Sequence, residues 1–167
     1  MHRPLSRGLI FLLGLAWLVA ASGCHSASKP RDYKPVSLRF FLESSSQDGT
    51  PVSLPKSGVN LIVNPKPVIT EGDVVNVELV KVELGQCLLF QLTPTATRDF
   101  YRLSVTHQGR RVVLVLDNVA LGARRMDGVI TNGSVFIFVE LPEAELPALV
   151  ENLKKSSVAL QKELARK

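Results

Sequence analysis

Apolar and polar residues alternate most clearly over residues 74–84, whose sequence is VVNVELVKVEL. A period of two is typical of a β-strand with one buried face. The register of the alternation is not clean, so the pattern indicates either burial on both faces or a β-bulge. Gly85 and Gln86 are predicted to turn the chain into a second strand at residues 87–92.

Shorter apolar runs predict further strands. Residues 36–42 (VSLRFFL) are rich in β-forming side chains. Residues 60–63 predict a brief strand, which we expect the NPKP sequence at residues 64–67 to end. Residues 112–116 (VVLVL) are a continuous apolar run, which is typical of a central strand.

Two pairs of turn-forming residues predict hairpins. The DN pair at residues 117–118 should return the chain from the VVLVL strand into residues 119–123. The NG pair at residues 132–133 should join a strand that ends near Ile130 to another strand at residues 135–141.

Two segments carry helical periodicity instead. Thr93 is the predicted N-cap of the first helix, with Pro94 at the first helical position and an end near Thr106. Pro142 is predicted to open the second helix, whose apolar face consists of Leu146, Leu149, Val150, Leu153, Leu160 and Leu164. This order of elements predicts an α+β fold, a mostly antiparallel sheet with two helices packed on it.

The N-terminal segment has the composition of an export signal. Two arginines precede a 12-residue apolar run at residues 9–20. That run is shorter than the roughly 20 residues of a transmembrane helix and suits a secretory signal. Small residues then lead to Cys24 in an arrangement that resembles a bacterial lipobox, with Ala21 where leucine is usual. We expect residues 1–23 to be a signal peptide and Cys24 to carry lipid; the alternative is an ordinary signal peptide with an unmodified cysteine.

These boundaries predict the organisation of the rest. Residues 24–35 would be the lipidated cysteine and a tether, residues 36–66 an N-terminal strand region, and residues 67–167 the main domain. The lipid anchor would hold the protein on a bacterial membrane, facing the periplasm or the cell exterior. The chain has a net charge of +5, and basic residues concentrate after residue 153. This basic end is either a solvated helix face or a contact with anionic lipid, since export argues against nucleic acid.

We find no established catalytic motif in the sequence. Asp117 and Asp127 lie ten residues apart at predicted turns, where an aspartate normally bonds its own backbone. Ser104 and His107 lie three apart on the first helix without an evident acidic partner. Cys87 lies in an apolar run and is expected to be a buried thiol, and no cysteine or histidine has metal-ligand spacing. We predict that the protein is not an enzyme and uses no cofactor or metal.

Four arginines flank the predicted hairpin on either side, and they form the candidate interaction surface. Arg110 and Arg111 precede its first strand, and Arg124 and Arg125 follow its second. Guanidinium groups suit the recognition of carboxylates or lipid phosphates. The alternative is that these charges protect exposed strand edges from aggregation.

A family resemblance extends over residues 67–155. Its segments are PVITEGDVVNVEL, LLFQLTPTATRDFYRLSV, GRRVVLVLDNVALGARRMDGVITNGSVFI and ELPALVENLKK. In their order and turn positions these segments resemble the first periplasmic (P1) domain of SecD, in its head-like part. SecD is a membrane component of the bacterial protein-export machinery. Asn118 stands where that family has a turn glycine, and Arg124 stands where it has a proline.

The resemblance implies both a fold and a class of function. Residues 67–167 would form a SecD P1 head-like domain that assists protein export or binds unfolded envelope polypeptides, with exported chains or translocase components as partners. An exposed sheet edge would bind extended polypeptide by strand addition. The alternative is an envelope lipoprotein with a structural or scaffolding role and no part in export. SecD also relies on six transmembrane helices, and no such helix follows the signal in this sequence.

Overall fold

The computed structural model describes residues 32–45 and 48–166. The predicted signal peptide and the predicted lipid attachment site at Cys24 lie outside these residues. From residue 33 onward the chain forms one compact unit. Neither helix within the described ranges combines the length and the apolar composition that are needed to cross a bilayer.

Strands dominate the described part of the chain, and two helices interrupt them. The elements are β1 (Leu38–Glu43), β2 (Thr50–Ser53), β3 (Asn60–Thr70), β4 (Val74–Val82), β5 (Gly85–Leu92), α1 (Pro94–Thr106), β6 (Arg111–Leu116), β7 (Val119–Arg125), β8 (Ser134–Ile137) and α2 (Leu146–Leu164). Short 3-10 turns at Glu71–Asp73 and Glu143–Glu145 precede β4 and α2. This element order and its antiparallel pairing confirm the predicted α+β class.

The strands form two antiparallel sheets over one shared core. The larger sheet has the order β2-β3-β1-β6-β7, and the smaller has the order β4-β5-β8. Phe40 of β1 and Phe90 of β5 are fully buried and meet edge to face, with ring centroids 5.1 Å apart. Phe100 of α1 and Leu153 of α2 complete the same cluster. Burial of apolar surface from both sheets therefore holds the two layers together.

Strand β3 is longer than the sequence predicted, because its pairing register with β1 shifts on both sides of Pro67. Phe41 of β1 pairs with Pro67, whereas Glu43 pairs with Val63, so the register shifts across residues 64–66. A proline at a bulge leaves out no regular ladder bond. The prediction that NPKP ends the strand was therefore wrong, and β3 crosses the border expected between the N-terminal strand region and the main domain.

The β4–β5 hairpin confirms the bulge that the imperfect alternation indicated. The pairing register shifts between Val74 and Asn76, and from there it runs regularly to the turn. The turn lies at residues 83–84, two residues earlier than predicted, because Gly85 already pairs with Val82. Gly85 has a φ of 118°, a conformation that glycine adopts without strain.

The two predicted hairpins that depend on turn pairs had different outcomes. Asp117 and Asn118 have φ values of 47° and 67° and join β6 to β7 in a two-residue loop, which confirms the first. The second was wrong. Gly133 does have a φ of 65°, but no strand precedes it between residues 126 and 133. Strand β8 pairs instead with β5. The N–H of Ile130 donates to the hydroxyl oxygen of Ser104 on α1 at 3.0 Å.

Both helices begin close to the predicted positions. The Thr93 hydroxyl oxygen accepts a hydrogen bond from the N–H of Ala96 at 3.2 Å, so the predicted N-cap of α1 is confirmed. Helix α2 begins at Leu146, because the residues that follow Pro142 form a 3-10 turn first. The buried face of α2 packs on β4 and closes the core.

A carboxylate ties the β2–β3 turn to the segment that follows β8. Glu140 Oε2 accepts hydrogen bonds from the backbone N–H groups of Lys56 and Ser57, at 2.7 and 2.8 Å. Burial acts to raise the pKa of Glu140, but hydrogen bonds from Ser57 and Lys56 and the Lys56 charge outweigh it and lower the pKa below its ordinary value of 4.5. The folded structure therefore favours the ionised form of the Glu140 carboxylate.

We expect Glu140→Gln to lower the free energy of unfolding by about 0.5–1 kcal/mol near neutral pH, since the amide keeps an acceptor but loses the charge at a partly exposed site. Because the folded-state pKa is lowered, this contribution is present above the ordinary pKa of 4.5 and is lost as pH falls through the folded-state value. Urea unfolding at about pH 7 and about pH 3 measures both differences. Glu143→Gln removes an exposed carboxylate from the next turn and is the control. Equal losses in the two variants would contradict the assignment.

Candidate functional site

The two sheets meet where the chain leaving β8 crosses β7. Gly122 of β7 lies against the carbonyl oxygen of Phe138. The N–H of Glu140 donates to the carbonyl oxygen of Leu121 at 2.7 Å. Any Cβ at position 122 would overlap the Phe138 carbonyl, so glycine is required by close approach and not by its φ. The crossing fixes the edge of one sheet beside the edge of the other.

Next to this crossing, β7 and β8 leave a cleft of about 430 Å³. Its lining comes from the end of β7, from β8 with its following residue, and from the tip of the β4–β5 hairpin: Val82, Leu84, Cys87, Ala123, Arg124, Arg125, Asp127, Phe136, Ile137 and Phe138. Most of these side chains are apolar. Leu84 is 86% exposed and Phe138 is 42% exposed, so the cleft presents apolar surface to solvent.

Both strands present backbone groups towards the cleft. Among the described strands, β7 pairs only with β6 and β8 pairs only with β5. The Met126 N–H bonds the Arg110 carbonyl at 2.9 Å, so alternation along the ladder directs the peptide groups of Ala123 and Arg125 away from β6. By the same alternation the Phe136 carbonyl points away from β5. The cleft is therefore bounded by two unpaired strand edges.

Arg124 spans the gap between these edges. Its Nη1 donates to the Phe136 carbonyl oxygen at 3.1 Å, and its guanidinium carbon lies 5.9 Å from the centroid of the Phe136 ring. The residue is half-buried, and it forms no ion pair with any described carboxylate. Burial raises the pKa of the Cys87 thiol, and the Arg124 charge lowers it in part. Cys87 is thus a buried, protonated thiol whose surroundings include this cation.

The other candidate arginines lie at the same end of the β6–β7 hairpin but have different environments. Arg111 lies opposite Arg125 in the ladder. The Arg111 backbone N–H and Nη1 both bond the Glu43 carboxylate at 2.9 Å. Arg125 Nε lies 3.3 Å from the Asp127 carboxylate. These two arginines are paired with acids, and the backbone of Arg110 continues the ladder through its bond from Met126.

The structure separates the two aspartates that the sequence singled out. Strand β7 lies between them, with Asp117 before it and Asp127 after it. Asp117 Oδ1 accepts from the N–H of Ser37 at 2.9 Å, and its other oxygen lies 3.9 Å from Lys34 Nζ. The two carboxylates therefore do not lie side by side, as general acid–base catalysis by the pair would require.

Ser104 and His107, near the end of α1, each bond to other partners. Ser104 is buried, donates its hydroxyl to the Tyr101 carbonyl at 2.8 Å and accepts from the N–H of Ile130. His107 Nδ1 lies 2.7 Å from the hydroxyl of Thr106, at the C-terminal end of the helix. Among the described residues, no group of three or more His, Cys, Asp or Glu side chains is placed to hold a metal ion.

The cleft itself was not predicted from the sequence. Leu84 lies in a turn that was expected two positions later, and Phe136 and Phe138 lie on and directly after a strand that was assigned to the wrong hairpin. Sequence did single out Arg124, through its position where the SecD family has a proline. This departure from the family pattern was the signal in the sequence that pointed to the cleft.

Comparison with known proteins gives evidence at the level of structure. The sequence matches no protein-family model and no curated protein sequence. A crystal structure of SecDF in a super-membrane-facing form superposes with a TM-score of 0.57 at 19% identity, over 71% of this chain and 18% of that chain. A structure of SecDF described as a membrane component that enhances protein export gives a TM-score of 0.57 at 16% identity, over 72% and 63%. SecDF from Thermus thermophilus, a translocon-associated membrane protein, gives 0.51 at 18% identity, over 74% and 20%.

These likenesses define the fold class. The described chain has a SecD-like α+β fold, as the resemblance in its turn positions implied. The chain spans less than two thirds of each of the SecDF chains. At such identities the similarity establishes architecture, while function has to be argued from the site.

We expect Gly122→Ala to lower the free energy of unfolding by about 1–3 kcal/mol, because the added methyl group must displace the Phe138 backbone. Urea unfolding of the purified protein measures this loss. Gly128→Ala is the matched control, since no atom lies within 4 Å of the position its Cβ would take. That substitution should change stability by less than about 1 kcal/mol. Equal effects at the two positions would show that the crossing is not a close contact.

Proposed function

We propose that this protein is a non-catalytic lipoprotein of the bacterial envelope that binds unfolded polypeptide in the cleft between β7 and β8 and so assists protein export. The observation that carries the proposal is the pair of open strand edges beside an apolar cleft, in a SecD-like fold. SecDF is described as a membrane component that enhances protein export. We extend that role to this chain as part of the proposal.

Strand addition explains why an unfolded chain would be preferred over a folded protein. An unfolded chain has free backbone N–H and C=O groups, and the edges of β7 and β8 offer complementary ones. Its apolar side chains would cover Leu84 and Phe138, which are exposed in the free protein. A folded protein has already paired most of its backbone groups, so it gains little from the same edges.

The cleft lies away from the start of the described chain. The described chain begins beside α2, where the N–H of Lys34 donates to Asn152 at 3.3 Å. Lys34 also lies at the Asp117 end of β7, whereas the cleft lies at the Arg125 end. Seven residues of strand separate these ends, a distance of about 20 Å. The cleft therefore lies at the other end of β7 from Lys34, which is near the start of the described chain.

Binding is tested with a labelled protein that can be held either permanently unfolded or folded, added to the purified protein in an anisotropy titration. We expect at least about tenfold tighter binding of the unfolded form. Replacing Leu84 and Phe138 with serine should weaken this binding by about tenfold, the effect of losing roughly 1.4 kcal/mol of apolar contact. Val59→Ser, an exposed valine outside the cleft, is the control. No binding of either form, or equal binding of both, would leave only the scaffolding alternative.

Lipid attachment is tested by growing cells with a labelled fatty acid and separating membranes from soluble protein. Cys24→Ser should abolish labelling and release the protein from the membrane fraction, since Cys24 would supply the thioether sulfur. Cys87→Ser is the matched control and should keep both properties, because that thiol is buried in the fold. Labelling that persists in the Cys24→Ser protein would overturn the anchor.

A further inference from the structure

The Arg124 guanidinium lies in an apolar cleft and forms no ion pair with a carboxylate in the described part of the chain. Its neighbour Arg125 is neutralised by Asp127 at 3.3 Å, and Arg111 is neutralised by Glu43 at 2.9 Å. Arg124 has five N–H donors, and within residues 32–45 and 48–166 its side chain makes one hydrogen bond, to the Phe136 carbonyl. A half-buried cation with unused donors favours an anion that can enter the cleft.

The single bond that Arg124 makes has a second effect. The Phe136 carbonyl is the outward-facing acceptor of the β8 edge, and an added strand would use this oxygen for its own N–H. While the guanidinium donates to that oxygen, it occupies one of the two acceptor positions and competes with strand addition to β8 at this residue. An incoming carboxylate would draw the guanidinium into a two-bond pair and release the carbonyl.

We infer that the cleft selects extended polypeptide segments in which an acidic side chain stands among apolar residues, and that Arg124 recognises this carboxylate. The inference rests on the proposed function and names the class of segment that the same cleft takes. The carboxylate pairs with Arg124, the flanking apolar side chains contact Phe138 and Leu84, and the segment's backbone pairs with the freed edge.

A peptide carboxylate fits this cleft better than a phosphate group does. The lining is mainly apolar, and the nearby Asp127 carboxylate already neutralises the second guanidinium. One unpaired cation therefore balances one negative charge. The backbone edges on both sides of Arg124 are complementary to a polypeptide and have no counterpart in a free phosphate or a lipid headgroup.

The test uses a nine-residue peptide with blocked ends, in which apolar residues alternate with threonine around a central glutamate. The matched peptide has glutamine at the centre. In anisotropy titrations with the full protein we expect the glutamate peptide to bind about tenfold or more tighter, as for a hydrogen bond to a charged group. Arg124→Gln should remove this difference, and Arg124→Lys should restore part of it through charge alone. Arg98→Gln, which removes a cation from α1, should change nothing.

The outcomes separate this inference from the function on which it rests. If unfolded protein binds but the two peptides bind equally, the cleft has no acidic preference and the inference fails alone. If neither peptide nor unfolded protein binds, the proposed function fails with it. A glutamine peptide with a free C-terminus that equals the blocked glutamate peptide would assign the site to chain ends and overturn the side-chain assignment. Thermal melting checks that each variant is folded. If Arg124→Gln does not fold, the comparison is made with Arg124→Lys.

Discussion

The absence of a side chain at Gly122 determines how the two sheets of this protein meet. The chain that leaves β8 passes directly over β7 at this glycine, and the Glu140 N–H then bonds the Leu121 carbonyl. Because the contact is made by the crossing chain and not by a strand ladder, β7 and β8 lie side by side without pairing. The sheets share the core around Phe40 and Phe90 but keep separate edges. The cleft is the space that this arrangement leaves.

Features that depend on neighbouring residues were predicted from the sequence. The turn at Asp117 and the N-cap at Thr93 each need only a few adjacent residues, so their chemistry is local. The pairing of β8 could not be predicted in this way. The positive φ of Gly133 indicates a turn, but it does not determine which strand β8 pairs with. The bulge in β3 is also non-local, since its register is set against β1. Cleft residues come from three separate segments, and their exposure depends on these pairings.

The arginines of this region have different ion-pair partners because they lie at different positions in the sheet. Arg111 lies on a central strand, and the adjoining strand β1 supplies the Glu43 carboxylate that pairs with it. Arg125 ends the edge strand, where the chain turns and brings Asp127 back beside it. A charged pair at the end of an edge strand suits the protection of that edge from association. The alternative of edge protection therefore describes Arg125 on β7, and it leaves Arg124 unexplained.

The sequence resemblance to SecD implies a proline at the position of Arg124, and the ladder shows what an arginine changes there. Alternation directs the N–H of residue 124 towards β6, where Val112 is its partner. A proline at this position has no N–H to donate and carries a short ring. Arginine restores the donor and extends a guanidinium across to the Phe136 carbonyl. One residue thus continues the β6–β7 ladder through its backbone and, through its side chain, bonds the outward-facing carbonyl of β8, so the edges of the two sheets are linked at Arg124.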